Sequence, residues 1–247
     1  MGKIKIIKTE LEKIRHFRTL FLHESNFQFI YNKCHDYGWA DVYLFTVGGI
    51  EIGYGAVWGR SKREDRDAIF EFFLVAPYRA MANEIFPLFH AATNAVFIEC
   101  QSNDKLLSNL LYEYAGNINA EAILFEDSFE TKFCIPEIIF QKKTPEENVR
   151  TYDYKYNLLL DNIIVASGGL MLNYNIPYAD IYYEVNENYR RQGLGSLLVQ
   201  ELKKEAYAMG RVPAARCNMA NILSKKLLLK TGFVICGHLL SGEIRKR

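Results

Sequence analysis

Long apolar runs are missing from this 247-residue chain: no uninterrupted stretch approaches the ~20 residues that a membrane-spanning helix needs. The amino terminus carries charge but no apolar core of signal-peptide length, and Ile6 stands where a myristoylation signal requires Ser or Thr. Cysteine is sparse as well. Cys34, Cys100, Cys134, Cys217 and Cys236 are odd in number, widely spaced and without a C-x-x-C pair, which argues against a disulfide framework or a structural zinc site. No metal is expected. Nor does charge of one sign dominate, since 30 Lys+Arg against 29 Asp+Glu leave a formal net charge of +1. That balance removes the electrostatic drive toward nucleic acid or an anionic membrane as a partner. These absences lead to the expectation of a reduced, soluble, cytoplasmic protein.

What is present is an ordinary globular composition, 49% hydrophobic and 24% charged, with 16 Tyr and 16 Phe to build a sizeable core. At roughly 150 residues per domain the length corresponds to about 1.6 domains, so one large domain or two lobes. The first forty residues read as helical: Leu11, Ile14, Phe17, Phe21 and Leu22 recur at helical spacing, and Ser25 is placed to cap a second helix over 26–31. The period then changes. Residues 42–47, 52–58 and 69–75 are β-rich runs, separated by Gly48-Gly49 and by a charged stretch over 60–67 that reads as a solvated hairpin loop. A helix is predicted over 80–92, a strand over 95–100, a helix over 104–114 and a strand over 120–125. The segment 142–149, with Pro145, Glu146 and Glu147, is the best linker candidate and divides the chain into lobes 1–142 and 150–247.

Beyond it the order recurs, with strands predicted over 156–160, 163–173 and 180–185. An amphipathic helix follows over 194–209, which Gly210 stops. The recurrence is numerical too. Ser108, Leu111, Tyr112 and Gly116 match Ser224, Leu227, Leu228 and Gly232 at an offset of 116, and Tyr78-Arg79 matches Tyr189-Arg190 at 111. Two offsets so close suggest an internal duplication of a strand–helix–strand–helix unit.

Chemistry concentrates in IYYEVNENYRRQGLGS, residues 181–196. A strand leads into an Arg-rich turn, two glycines one residue apart, and the amphipathic helix. Such a turn makes an anion site: glycines let the backbone curl, its N–H groups point inward, and the positive end of the helix dipole adds to them. Arg190 and Arg191 supply charge at the mouth. The alternative is a strand-to-helix turn whose glycines serve geometry alone. There is no P-loop G-x-x-x-x-G-K-[ST], and no third glycine at dinucleotide spacing. Gly53 and Gly55 sit inside a strand pattern, where close packing is the expected reason for them.

Arg190-Arg191-Gln192-Gly193-Leu194-Gly195 resembles the Q/R-x-x-G-x-G/A signature of the GNAT superfamily of acetyltransferases. Downstream, Asn221-x-x-Ser224-x-x-Leu227-Leu228-x-Lys230-x-Gly232-Phe233 is similar to that family's N-x-x-A-x-x-L-Y-x-K-x-G-F helix. The resemblance runs from about Tyr156 to the end. It implies the GNAT acyl-CoA N-acyltransferase fold, an α/β (α+β) architecture with a mixed, mostly antiparallel sheet flanked by helices, here as two tandem lobes. It also implies acetyl-CoA as co-substrate and an amine as acceptor.

The resemblance further implies roles for particular residues. The end of the fourth strand, Val185, Asn186 and Glu187, would pair its backbone with the pantetheine arm, and the Val185 N–H would donate to the oxyanion. Arg190, Arg191 and the amides of Gln192, Gly193, Leu194, Gly195 and Ser196 would receive the pyrophosphate. Asn221 and Ser224 would flank the cofactor arm. Glu184 is the nearest candidate general base and Glu187 the next, although side-chain alternation along the strand can turn Glu184 away. Leu228 stands where the family often has a Tyr that protonates the leaving thiolate, and Ser224, one turn earlier, is the expected substitute. A thiolate of pKa about 8.5 also leaves tolerably without an acid. Cys217 reads as a buried strand cysteine rather than a nucleophile.

The first lobe resembles a GNAT half that has lost cofactor binding, with Ala82 in place of the first glycine and Glu84 where the pyrophosphate would sit, though it keeps Tyr112. The expected function is therefore an N-acetyltransferase acting on a primary amine, in all expectation a small molecule, by direct attack. A non-catalytic acyl-CoA-binding sensor is the alternative. Whether the chain pairs as a homodimer and which acceptor it takes are left open by the sequence.

Overall fold

A computed structural model of the chain describes residues 2–28, 31–143 and 153–246. It divides into two compact units, Met1–Glu121 with His238–Arg247, and Ala122–Gly237. The first unit begins with strand β1 (Ile4–Thr9), helices α1 (Leu11–Leu22) and α2 (Tyr31–Asp36), and strands β2 (Ala40–Val47), β3 (Ile50–Trp58) and β4 (Ala68–Leu74). Helix α3 (Ala82–Ala91), β5 (Phe97–Gln101), α4 (Lys105–Tyr114) and β6 (Ala115–Asp127) follow. The expectation of an all-helical opening is corrected at residues 4–9. There Ile4, Ile6 and the intervening lysines alternate with period two and pair antiparallel with β2. The second helix is also displaced: residues 26–28 are not helical and α2 starts at Tyr31.

In unit 1, β1 to β4 are antiparallel neighbours and β4 pairs parallel with β5 at Ala68↔Phe97 and Ile69↔Ile98 only. Strand β4 is buried along its whole length, and Phe45, Phe72, Phe86 and Phe89 pack ring against ring beside it. The glycines of β3 serve this packing. A Cβ on Gly53 would lie 2.0 Å from the Phe73 carbonyl oxygen, and one on Gly55 would lie 2.6 Å from the Phe89 ring. Glu71 is fully buried among Arg18 (3.2 Å), His35 (3.0 Å) and the Tyr54 hydroxyl (2.9 Å). Arg18 and the His35 hydrogen bond hold its carboxyl down at about 2 despite burial.

Unit 2 contains β7 (Ile139–Lys142), β8 (Asp153–Leu160), β9 (Ile163–Met171), β10 (Tyr178–Val185), helix α5 (Leu194–Ala208), β11 (Val212–Asn218) and α6 (Ile222–Lys230). Its strands run in the order β6-β11-β10-β9-β8-β7, with β10/β11 parallel and the other described pairs antiparallel. Asp161 and Asn162 both have positive φ, 49° and 63°, and close the β8–β9 hairpin with the backbone that a two-residue turn requires. Leu194, Leu197, Leu198, Leu202 and Ala206 form the buried stripe of α5, and Gly210 at φ 68° ends that helix.

The last strand, β12 (Phe233–Ile244), starts in unit 2, and its residues Leu239–Glu243 pair antiparallel with β5 of unit 1. Strands β6 and β12 thus each contribute to both units, and the units part at Glu121/Ala122 and Gly237/His238. Composition had placed the division at residues 142–149, most of which lie outside the described residues. The chain passes between the units within strands β6 and β12.

The duplication inferred from the sequence has geometric counterparts. Arg79 Nε donates to the Leu74 carbonyl at 3.1 Å, and Arg190 Nε donates to the Val185 carbonyl at 3.3 Å, five residues back in each case.

Candidate functional site

The site of unit 2 begins where two parallel strands part. Strands β10 and β11 pair only from Tyr178↔Val212 to Ile181↔Ala215. Beyond that point Tyr182–Val185 stay with β9 on one side, and Arg216–Asn218 stay with β6 on the other. The edge of β10 facing the gap therefore has main-chain groups without a strand partner. The N–H of Asn186 donates to the Val165 carbonyl of β9 at 3.0 Å. By strand alternation the N–H of Val185 turns the other way, toward the gap, as does its carbonyl, which receives Arg190.

The turn after β10 is built for a sharp reversal. Asn186 Oδ1 accepts from the Asn188 N–H at 3.2 Å, capping a single 3-10 turn. Arg191 at φ 66° and Gly193 at φ 83° then bring the chain around into α5 through left-handed backbone. Gly193 has no side chain to cap α5, and the first amide bonded back is that of Leu197, to the Gly193 carbonyl at 3.1 Å. The N–H groups of Leu194, Gly195 and Ser196 are the orphan donors of that helix start, with the positive end of its dipole behind them. Gly195 is needed for a different reason. A Cβ there would lie 2.6 Å from Leu227 Cδ1 and 3.4 Å from Val185 Cγ2, so its absence lets α5 approach α6 and β10 closely.

One cleft of about 860 Å³ joins the helix start to the parted strands. Arg190, Arg191, Arg216, Lys226 and Lys230 line it against only two carboxylates, Asp180 and Glu184. A chain of net charge +1 thus concentrates positive charge where the orphan amides point, which suits a polyanionic ligand. Of the residues expected from the sequence, Glu184, Val185, Arg190, Arg191, Gly193, Leu194, Gly195, Ser196, Asn221 and Ser224 line this cleft. Asn186 and Glu187 border a separate shallow groove of about 360 Å³ instead, together with Ser167 and Glu184, and Gln192 lines neither.

The two faces of β10 differ. Ile181 is in the unit's core cluster and Tyr183 and Val185 pack against it. On this face the Tyr183 hydroxyl reaches Ser224 Oγ across the gap at 2.7 Å. Burial raises the Tyr183 phenol above its usual range, although the Ser224 hydrogen bond opposes it. Ser224 sits in the first turn of α6, whose cap is Asn221, with Oδ1 accepting from the Ser224 N–H at 3.0 Å. Leu228 is wholly buried in the same core cluster, so that position faces hydrocarbon and not the cleft. Cys217 is also buried, which pushes its thiol up and makes it a poor nucleophile.

On the opposite face lie Asp180, Tyr182 and Glu184. Asp180 is buried, with Arg216 Nε at 3.8 Å, and Arg216 donates to the Tyr174 hydroxyl at 2.7 Å. Glu184 is exposed on this face, away from Tyr183, as alternation allowed. Among the described residues no group of three or more His, Cys, Asp or Glu is arranged to hold a metal ion.

The sequence model of the acetyltransferase (GNAT) family matches residues 121–233, which contain every element of this cleft. These residues form a GNAT acetyltransferase domain. The GNAT domain makes the chain an acyltransferase. A GNAT-family acetyltransferase from Colwellia psychrerythraea is similar in structure, with TM-score 0.75 at 15% identity over 98% of this chain and 100% of that one. A GCN5-related N-acetyltransferase from Sphaerobacter thermophilus gives 0.62 at 11% identity, over 98% and 96% of the two chains. A tandem GNAT protein from the clavulanic acid biosynthesis pathway gives 0.61 at 10% identity, over 99% and 100%. At these identities the likeness is one of fold, and it extends over the whole chain rather than the GNAT domain alone. No curated protein sequence matches the chain.

Sequence reasoning missed Tyr183 and Arg216 as parts of the site. Tyr183 lies 41 residues from Ser224, and no periodicity within one element links them. The signal available was the Tyr182-Tyr183 pair in a strand that enters a phosphate-type turn.

Proposed function

We propose that the GNAT domain transfers an acetyl group from acetyl-CoA to a primary amine of a small molecule by direct attack. The observation that carries this reading is the continuity of one cleft, from the orphan amides of α5 to the parted edge of β10. A donor that fits must be anionic at one end and able to pair with a strand edge at the other. Acetyl-CoA has both features, a pyrophosphate and an amide-bearing pantetheine arm.

In this reading the amides of Leu194, Gly195 and Ser196 hold the pyrophosphate, and Arg190 and Arg191 screen its charge. The β10 edge pairs with the arm in the manner of an added strand. The Val185 N–H stabilises the oxyanion that forms as the amine attacks, a contribution typically of about 3–4 kcal/mol. Glu184 takes the proton from the incoming ammonium, directly or through water, from the face of β10 opposite Tyr183. Asn221 presents its amide beside the arm. A non-catalytic acyl-CoA-binding role is favoured only by the burial of Leu228, which offers no hydroxyl at that position.

Release of free CoA thiol from saturating acetyl-CoA, followed over a panel of primary amines, separates these readings. Turnover with at least one amine, and a loss of about 10²-fold or more in Glu184→Gln, is expected. Binding without turnover across the panel would favour the sensor role, and absence of binding would remove both.

A further inference from the structure

The geometry points to Tyr183 as the group that hydrogen-bonds the CoA sulfur and gives it a proton as it leaves, with Ser224 holding the phenol in place. The inference rests on the acetyl-CoA reading above and adds a residue to it. Its basis is a side-chain bridge between β10 and α6, the Tyr183 hydroxyl and Ser224 Oγ at 2.7 Å. Both residues line the cleft. Ser224 can act as donor or acceptor in this pair, and as donor to the phenol oxygen it leaves the phenolic O–H to point at another acceptor. Alternation places the Tyr183 side chain on the helix-facing side of β10, and the Val185 side chain beside it shares that side.

Tyr183 is two residues along the strand from the inward-turned amide of Val185. An acyl carbon held at that amide would leave its sulfur on the side of the strand that carries the Tyr183 and Ser224 hydroxyls. Leu228 supplies none.

The step balances as follows. The amine nitrogen forms a bond to the acyl carbon. The carbon–sulfur bond breaks with its electron pair on sulfur, and the phenolic proton of Tyr183 moves to sulfur. The new amide loses its extra proton to water, Glu184 having taken the first proton from the ammonium, and the phenolate regains one from solvent through Ser224. A phenol held above its ordinary value stays protonated over the pH range in which a CoA thiol, at about 8.5, ionises. Other charged or titratable groups around the pair are Cys217 on β11, kept neutral by burial, Arg216 on the same strand, Lys225, Lys226 and Lys230 on α6, and Tyr189 in the turn. Arg190 and Arg191 lie at the turn, and Glu184 on the opposite face of the strand.

The test needs no acceptor. Calorimetric affinities of CoA and desulfo-CoA are compared at pH 6.5 and 9.5 for the wild type, Tyr183→Phe and Ser224→Ala. A hydrogen bond from Tyr183 to the thiolate should raise the preference for CoA over desulfo-CoA about tenfold or more between the two pH values in the wild type. Tyr183→Phe should lose that rise, and Ser224→Ala should lose part of it. The lysines act on the thiolate in all three proteins, so the difference between proteins isolates the phenol. An equal rise in wild type and Tyr183→Phe overturns the assignment and leaves the acetyl-CoA reading standing. Failure of the wild type to bind either ligand overturns both. If Tyr183→Phe does not fold, an unchanged rise in Ser224→Ala overturns the assignment.

Discussion

Replacing Gly193 by Asp and by Asn tests the phosphate cradle through charge alone. Gly193 caps α5 with φ 83°, and a Cβ there would meet only Ile135 Cδ1 at 3.5 Å, so either side chain has room. Left-handed backbone costs an ordinary residue roughly 1–2 kcal/mol, less for Asn or Asp. Against this, either side chain can accept from the orphan amides of Gly195 or Ser196, a capping gain over Gly of only about 0.3 kcal/mol. The cost outweighs the gain, so both ligand-free variants should be destabilised by a similar amount, on the order of 1 kcal/mol. Their affinities for acetyl-CoA should differ sharply. A carboxylate about 4 Å from a phosphate oxygen costs ~4 kcal/mol at an effective dielectric of about 20, and roughly half that after screening at so exposed a turn. Calorimetry with acetyl-CoA should therefore show Gly193→Asp binding about thirty- to a thousandfold more weakly than Gly193→Asn. Affinities for the two variants within threefold of each other would refute the location of the diphosphate at this turn.

Two further outcomes follow from burial. Leu228→Tyr, which would restore the residue seen in the family's helix pattern, should not restore a proton donor, because the site is wholly enclosed in the unit 2 core. Urea unfolding should instead show a loss of about 1–3 kcal/mol from overpacking, and unchanged stability would contradict the core assignment. In unit 1, burial and the neighbouring Glu121 raise the Glu99 carboxyl to about 8, with Arg60 opposing. The folded chain therefore keeps a proton that the unfolded chain gives up above its ordinary value near 4.5. The stability tied to that proton is present in acid and falls as pH rises toward about 8. Glu99→Gln should flatten the decline in melting temperature between pH 5 and 8. The gain at pH 8 has an upper bound on the order of 5 kcal/mol. A slope equal to that of the wild type would show that Glu99 ionises freely in the folded state.

Local order was legible in the chain, and long-range exchange was not. The turn at residues 186–193 followed from arginine and glycine spacing, because a left-handed helix cap and close helix approach demand those residues whatever the rest of the fold does. The stripe of α5 and its stop at Gly210 followed from periodicity in the same way. The strands that complete the two units were hidden. Residues 120–125 read as an ordinary strand, and nothing local to them or to residues 233–244 specifies that Ala122–Asn218 and Leu239–Gln101 are partners. Polar composition points to residues 142–149 because a linker is expected to be polar, whereas the chain crosses between units within strands. Strand β1 was read as helix because six residues are too few to separate the two periods firmly. The bridge from Tyr183 to Ser224 escaped notice because it depends on how far β10 and β11 part, a tertiary quantity.

The central claim is that acetyl-CoA binds between the start of α5 and the parted edge of β10. Backbone amide NMR on titration with acetyl-CoA tests it most directly. Shifts should concentrate at Tyr183 to Val185 and at Gly193 to Ser196, with Leu194, Gly195 and Ser196 protected from exchange. Absence of shifts at saturating ligand, or shifts centred on β4 and α3 of unit 1, would contradict it.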